Sequence, residues 1–262
     1  MFQMEEKSKA TPKEKPIETS HMPQVHLNTV DDLPSRFKAY PPNSSISYRP
    51  YTFGEVKQIT GSVNLDTISG LKKILEGIET SFPVNDLTVG DVLYFGLLRK
   101  LSTLGSTKVN ALWSCSKCGE TGSYVAEQEN LEFTDIKAEK LPITLDLSIG
   151  KRSFKPLTIG QYFEMVARGV EDDPIAKLAM ECMGRDYEET YKELFNLTNP
   201  DDRELLEKID EYLFHELKPI LIPCTNTECK NKISLELDVG GQVILPFREE
   251  RQGTLDDRIH FG

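Results

Sequence analysis

Two pairs of cysteines constrain this chain more than any other feature, because they read as the two halves of one tetrahedral metal site. The first pair, Cys115 and Cys118, is a C-x2-C turn within Trp113-Ser114-Cys115-Ser116-Lys117-Cys118-Gly119. Gly119 is free to take the positive φ that turns backbone amides toward the sulfurs. The second pair, Cys224 and Cys229, is a wider C-x4-C turn after Pro223. Zinc, Zn2+, fits four thiolates best, and such a closed site leaves no coordination position for a substrate. It holds a fold together and performs no reaction.

Strand-forming sequence flanks both turns, from Lys108 to Ser114 and Ser123 to Gln128, then from Pro219 to Pro223 and Lys232 to Val239. Ile233, Leu235, Leu237 and Val239 alternate with Ser234, Glu236 and Asp238, the pattern of a strand with one wet face. Each cysteine pair therefore belongs at a hairpin tip, the zinc-ribbon geometry. A redox C-x-x-C would open a helix, whereas Cys118 is followed by Gly119 and strand-forming Tyr124-Val125. His215, the nearest alternative ligand, falls in an expected helix between Phe214 and Glu216, as a partly exposed side chain. Cys182, in Leu178-Ala179-Met180-Glu181-Cys182-Met183, reads as a buried helical thiol. An odd cysteine count with pairs at metal spacing points to a reducing compartment rather than to a disulfide framework.

A second signature repeats. Ser47-Tyr48-Arg49-Pro50-Tyr51-Thr52-Phe53-Gly54-Glu55-Val56 matches Ser153-Phe154-Lys155-Pro156-Leu157-Thr158-Ile159-Gly160-Gln161-Tyr162, 106 positions later, and Cys115 recurs as Cys224 after 109. Two signatures at nearly one period argue for internal duplication. The sequence thus predicts an α+β chain of two helix-plus-hairpin halves, residues 46–139 and 140–262, joined at the four-cysteine site. In the first half, Ile68, Leu71, Leu75 and Ile78 give a helix from Asp66 to Ser81, and Val92 to Leu101 give a heavily apolar central helix. Helical spacing in the second half covers Gln161 to Gly169, Asp173 to Met183 and Asp201 to Glu216. Residues 1–45, rich in Lys, Glu, Pro, Ser and Thr, read as an extended or disordered arm. Its apolar cluster, Val25, Leu27, Leu33 and Phe37, is the candidate partner-binding surface.

Charge narrows the function further. The chain carries a net charge of -11, and residues 1–45 hold six acidic and six basic groups, so the negative excess lies beyond them. Such a surface repels phosphate backbones and disfavours nucleic acid as a partner. No apolar run approaches the ~20 residues of a membrane span, and the Met1 start lacks the apolar stretch of a secretion signal. His21, His26, His215 and His260 have no nucleophile near them in sequence, and neither a Walker loop nor a G-x-G-x-x-G turn occurs; Gly240-Gly241 reads as a tight turn. The acidic runs at Glu171-Asp172-Asp173, Glu188-Glu189 and Asp201-Asp202 read as solvated helix starts. Neither enzymatic activity nor a small-molecule substrate is expected.

The first half resembles the baseplate hub protein family of T-even-type contractile-tailed bacteriophages. The resemblance rests on Ile46-Ser47-Tyr48-Arg49-Pro50-Tyr51-Thr52, on Leu87-Thr88-Val89-Gly90-Asp91 with the helix through Leu97-Leu98-Arg99-Lys100-Leu101-Ser102, and on Cys115-Ser116-Lys117-Cys118-Gly119, in that order. It covers roughly residues 46 to 135 and the second half less clearly. It implies a structural or assembly component of the tail baseplate, made in the host cytoplasm, whose partners are other baseplate and tail hub proteins. Two competing readings are a zinc-ribbon adaptor in transcription or replication, and a tail assembly chaperone absent from the finished particle.

Overall fold

The structure, a computed structural model, describes residues 27–61 and 66–235. The elements run β1 (Asn28–Thr29), β2 (Ile46–Tyr48), α1 (Phe53–Gly61), α2 (Thr67–Leu75), β3 (Ile78–Thr80), α3 (Val89–Leu104), β4 (Lys108–Ser114) and β5 (Thr121–Glu127). They continue as β6 (Phe133–Thr134), β7 (Ile143–Leu147), β8 (Gly150–Phe154), α4 (Ile159–Arg168), α5 (Pro174–Glu181), α6 (Tyr187–Phe195) and α7 (Pro200–Leu213). Last come β9 (Glu216–Leu217), β10 (Ile220–Pro223) and β11 (Lys232–Leu235). Among the described residues the class is α+β, with small antiparallel sheets ordered β1-β2-β3, β4-β5, β6-β9, β7-β8 and β10-β11.

Three helices open on one local device. Thr52, Thr88 and Thr158 each accept a hydrogen bond from the amide three residues on, at Glu55, Asp91 and Gln161. Glu55 and Gln161 return the bond to the backbone N–H of Thr52 and Thr158, which completes a capping box. Thr88 and Thr158 also lie opposite each other, with Val89 N–H donating to Leu157 C=O and Ile159 N–H to Leu87 C=O. The starts of α3 and α4 are thereby bonded to each other.

Helix α3 is the centre of the core, as its composition predicts: Val92, Phe95 and Leu97 are 0 % exposed. One apolar cluster runs from Leu33 through α3 to Ile222, Ile233 and Leu235, joining segments about 200 residues apart in the chain. A second cluster gathers β7, β8, α6 and α7 around Phe154.

Several boundaries differ from the sequence expectation. The helix expected from Asp66 to Ser81 stops at Leu75, and Ile78 lies in β3 paired with Tyr48. The cause is Arg99, fully buried, whose Nη1 donates to the carbonyls of Lys73 (2.6 Å) and Ile74 (2.7 Å) at the end of α2. Carbonyls in the last turn of a helix lack the usual i+4 partner, and the guanidinium supplies one, beside a 3.4 Å bond from Gly77 N–H to Ile74 C=O. A Cβ at Gly77 would lie 2.2 Å from the Arg99 Cζ, so the chain passes the guanidinium at a glycine. Arg99 also bonds Arg49 C=O and Glu55, and its guanidinium lies 3.8 Å over the Tyr51 ring.

Helix α7 ends at Leu213 rather than continuing to Glu216. His215 is therefore outside the helix and 8 % exposed, with Nδ1 donating to Leu213 C=O and Nε2 accepting from the Thr88 hydroxyl, both at 2.7 Å. The carbonyl acceptor fixes that tautomer. Asp202 is also no solvated helix start: it is buried and accepts from the N–H and hydroxyl of Ser148.

The described part of the expected arm is folded onto the body. Strand β1 pairs with β2, Leu33 is fully buried in the main cluster, and Phe37 packs against it. Ser35 N–H donates to Asp91 and the Tyr40 hydroxyl bonds the same carboxylate, while Lys38 reaches the carbonyls of Ile136 and Ala138. Low apolar content hid this, because much of the anchoring is polar and satisfied by distant partners. Leu27 is 39 % exposed. Val25, the expected strand end at Val239 and the Gly240-Gly241 turn lie outside the described residues.

Candidate metal centre

Two hairpins, β4–β5 and β10–β11, carry the cysteines at their tips. In β4–β5, Trp113 opposes Gly122, and a Cβ there would lie 2.5 Å from the indole. That glycine lets the ring lie flat over the partner strand, leaving Trp113 only 7 % exposed. In β10–β11, Ile222 opposes Ile233 on the buried face, while Leu221 and Ser234 face outward.

The two tips share a register despite their different lengths. Cys115 N–H donates to Glu120 C=O at 2.7 Å, and Cys224 N–H to Asn231 C=O at 2.8 Å. Both acceptors stand two residues past the second cysteine of their turn. Three residues before each first cysteine, Leu112 pairs with Ser123 and Leu221 with Ser234. Gly119 adopts φ +77°, the conformation expected of it, and donates to Cys115 C=O. In the wider turn the left-handed position belongs to Lys230, at φ +51°.

The tips meet. Cys115 Sγ lies 3.7 Å from Cys229 Sγ, Cys118 Sγ lies 3.6 Å from Cys224 Sγ, and the four sulfurs all fall within 4.8 Å of one another. Thiolates about 2.3 Å from one ion stand roughly 3.8 Å apart at tetrahedral angles, so the spacing fits a single Zn-sized cation. Cys115, Cys224 and Cys229 are buried and Cys118 is exposed, which leaves the site reachable at one corner.

Backbone amides point at the sulfurs as that site needs. The Asn231 side-chain amide, 3.4 Å from Cys115 Sγ, together with the N–H groups of Cys118 and Lys117, lowers the Cys115 thiol to about 6. Burial pushes Cys224 up to about 12 and raises Cys229 as well. Four sulfurs this close cannot all ionise by themselves, and a bound dication removes the conflict. Lys117, Lys230 and Lys232 are exposed around the tips, alongside Glu120 and Glu228, and Lys117 Nζ reaches Cys229 C=O.

All four sequence-predicted ligands are thus brought together. Cys182 stands outside the cluster, buried at the end of α5 and bridged to Phe154, where burial raises its thiol. His215 is engaged with Thr88 and Leu213 and is not part of the cluster. The residue that sequence reasoning missed is Asn231; its signal was its place opposite Cys224 in the hairpin register.

A family model described as T4 bacteriophage base plate protein matches residues 28–238. The chain belongs to that family. The match begins at β1 and includes both cysteine hairpins, so residues 28–45 and all four cysteines lie within the family region. No curated protein and no solved structure matches the chain. No helix among the described residues is long and apolar enough to cross a membrane.

Proposed function

We propose that this baseplate-family protein is a non-enzymatic structural component of the tail baseplate hub, clamped by one zinc ion. The observation that carries the clamp is the set of cross-hairpin sulfur distances, 3.6 and 3.7 Å, between segments more than 100 residues apart. The four thiolates would hold the ion and complete its coordination, so its contribution is folding free energy. In small modules this is on the order of 10 kcal/mol. Internal duplication is supported by the shared register of the two hairpins and by the matched caps at Thr52 and Thr158. The correspondence is not element for element, since the second half has an additional helix.

A hub component presents several faces to its neighbours in the finished virion. Exposed apolar groups suited to contacts with other tail proteins are Phe53 (77 %), Leu221 (65 %) and Leu112 (53 %), together with Leu27. Leu33 and Phe37 serve this chain's own core instead. Mass spectrometry of purified particles tests the reading: the chain in stoichiometric amount supports a structural part. Its absence from finished particles, with presence in assembly intermediates, contradicts the structural reading and favours an assembly chaperone.

A further inference from the structure

We propose that the four cysteines form a second, covalent version of the clamp on oxidation, pairing across the hairpins as Cys115–Cys229 and Cys118–Cys224. The proposal rests on the reading of the site as an inter-hairpin clamp and goes beyond it, because the joint then survives loss of the ion.

The geometry selects the partners. The close sulfur approaches of 3.7 and 3.6 Å both run between hairpins. Within each turn the backbone is tied down, by Gly119 N–H to Cys115 C=O in one and Cys229 N–H to Asn226 C=O in the other. Joining sulfurs across the gap needs a shift of about 1.6 Å toward the ~2.05 Å bond length, within reach of side-chain rotation. Accessibility sets the order of events: Cys118 is exposed, whereas Cys115, Cys224 and Cys229 are 1 %, 9 % and 8 % exposed.

The oxidant is a peroxide. The Cys118 thiolate attacks one peroxide oxygen, the O–O bond breaks, and hydroxide leaves, giving a sulfenic acid. The Cys224 thiolate then attacks that sulfur, forming the S–S bond and releasing a second hydroxide, so two electrons pass from two sulfurs to one peroxide. A second peroxide does the same at Cys115 and Cys229. On the proposed virion location the chain moves from a reducing cytoplasm to an oxidising medium, where only the disulfide form is safe from chelators and oxidants.

The test uses the full chain, purified reduced, with metal content measured first. Hydrogen peroxide is added, free thiols are alkylated, and the protein is digested without reductant. Trypsin cuts after Lys117 and a Glu-specific protease after Glu228, so all four cysteines fall on separate peptides. The expected result is loss of four alkylatable thiols, with Cys182 retained, and linked peptides joining Cys115 to Cys229 and Cys118 to Cys224. The oxidised protein should keep the thermal transition of both hairpins in EDTA, while the reduced protein in EDTA loses that transition. Cys118→Ser should remove the Cys118–Cys224 link and leave the other. Predominant Cys115–Cys118 or Cys224–Cys229 links, or sulfinic acids without crosslinks, overturn the proposal. The linkage map is read whether or not metal is found, so failure of the zinc reading shows in the metal assay alone.

Discussion

The sulfur cluster at the hairpin tips and the Arg99 node beneath Tyr51 both join segments far apart in the chain, with opposite chemistry. The cluster gathers four like groups, which on the proposed reading a cation from outside holds together. The node is complete in itself: Arg99 meets Glu55 and the carbonyls of Arg49, Lys73 and Ile74, and Glu55 is held in turn by Arg49 at 2.6 Å and by the Thr52 amide. A buried charge is tolerated where its donors or acceptors are met; Arg99 finds four acceptors in the protein itself, and the proposed ion would do the same for the thiolates. On the proposed reading, one body is metal-dependent at its edge and metal-independent at its centre.

The sharpest way to break that comparison is to remove a sulfur. Cys115→Ala and Cys224→Ala should each abolish metal binding and cost on the order of 10 kcal/mol of coupling, seen as a lost cooperative melt of both hairpins by circular dichroism. If α3 and its surroundings still unfold cooperatively in these variants, the centre is independent as argued. Arg99→Met should cost about 3–5 kcal/mol in urea unfolding, because Glu55 and the end of α2 lose a buried partner, yet zinc content should be unchanged. Loss of zinc in Arg99→Met would show the two regions to be one cooperative unit.

Glu181 sharpens the electrostatic side. It is 3 % exposed, its Oε2 has no hydrogen-bond partner, and burial raises its carboxyl to about 8 despite Lys177 nearby. Its folded value exceeds the ordinary 4.5, so its contribution is fully present below pH 4.5 and is lost as pH rises toward 8. Glu181→Gln should therefore stabilise the protein by roughly 1–3 kcal/mol at pH 8 and by little at pH 4. A uniform effect at both pH values would contradict the burial argument.

Glu55 gives the opposite sign, read at the acid end of the pH range. Burial would raise its carboxyl, but Arg49, the Thr52 amide and Arg99 prevail and hold it down at about 2. The stability it adds is present above 4.5 and lost as pH falls toward 2. Acid titration of Glu55→Gln should lack that part of the wild-type loss. An unchanged acid limb would remove Glu55 from the node.

The two regions also differ in what their sequences disclose. The cysteines sit at fixed spacings on hairpin tips, so all four positions and the strands carrying them are readable in the sequence. The Arg99 node has no spacing rule: its partners lie 25 to 50 residues away and are chosen by packing. That is why the α2 boundary was overrun through Ile78, whose helical spacing is real but is overridden by β2–β3 pairing. The same applies to His215 and to residues 28–45, where apolar content alone underestimated a segment anchored by Ser35, Lys38 and Tyr40. The threonine–glycine signature also occurs a third time, as Leu87-Thr88-Val89-Gly90-Asp91, so its recurrence marks a helix start as well as a repeat.

Metal content per chain, by elemental analysis of the full-length protein purified under reducing conditions, tests the clamp most directly. One zinc per chain in the wild type and none in either Cys115→Ala or Cys224→Ala is the predicted result. A reduced wild type without zinc, or full zinc retained in either variant, would contradict a single ion shared between the two hairpins.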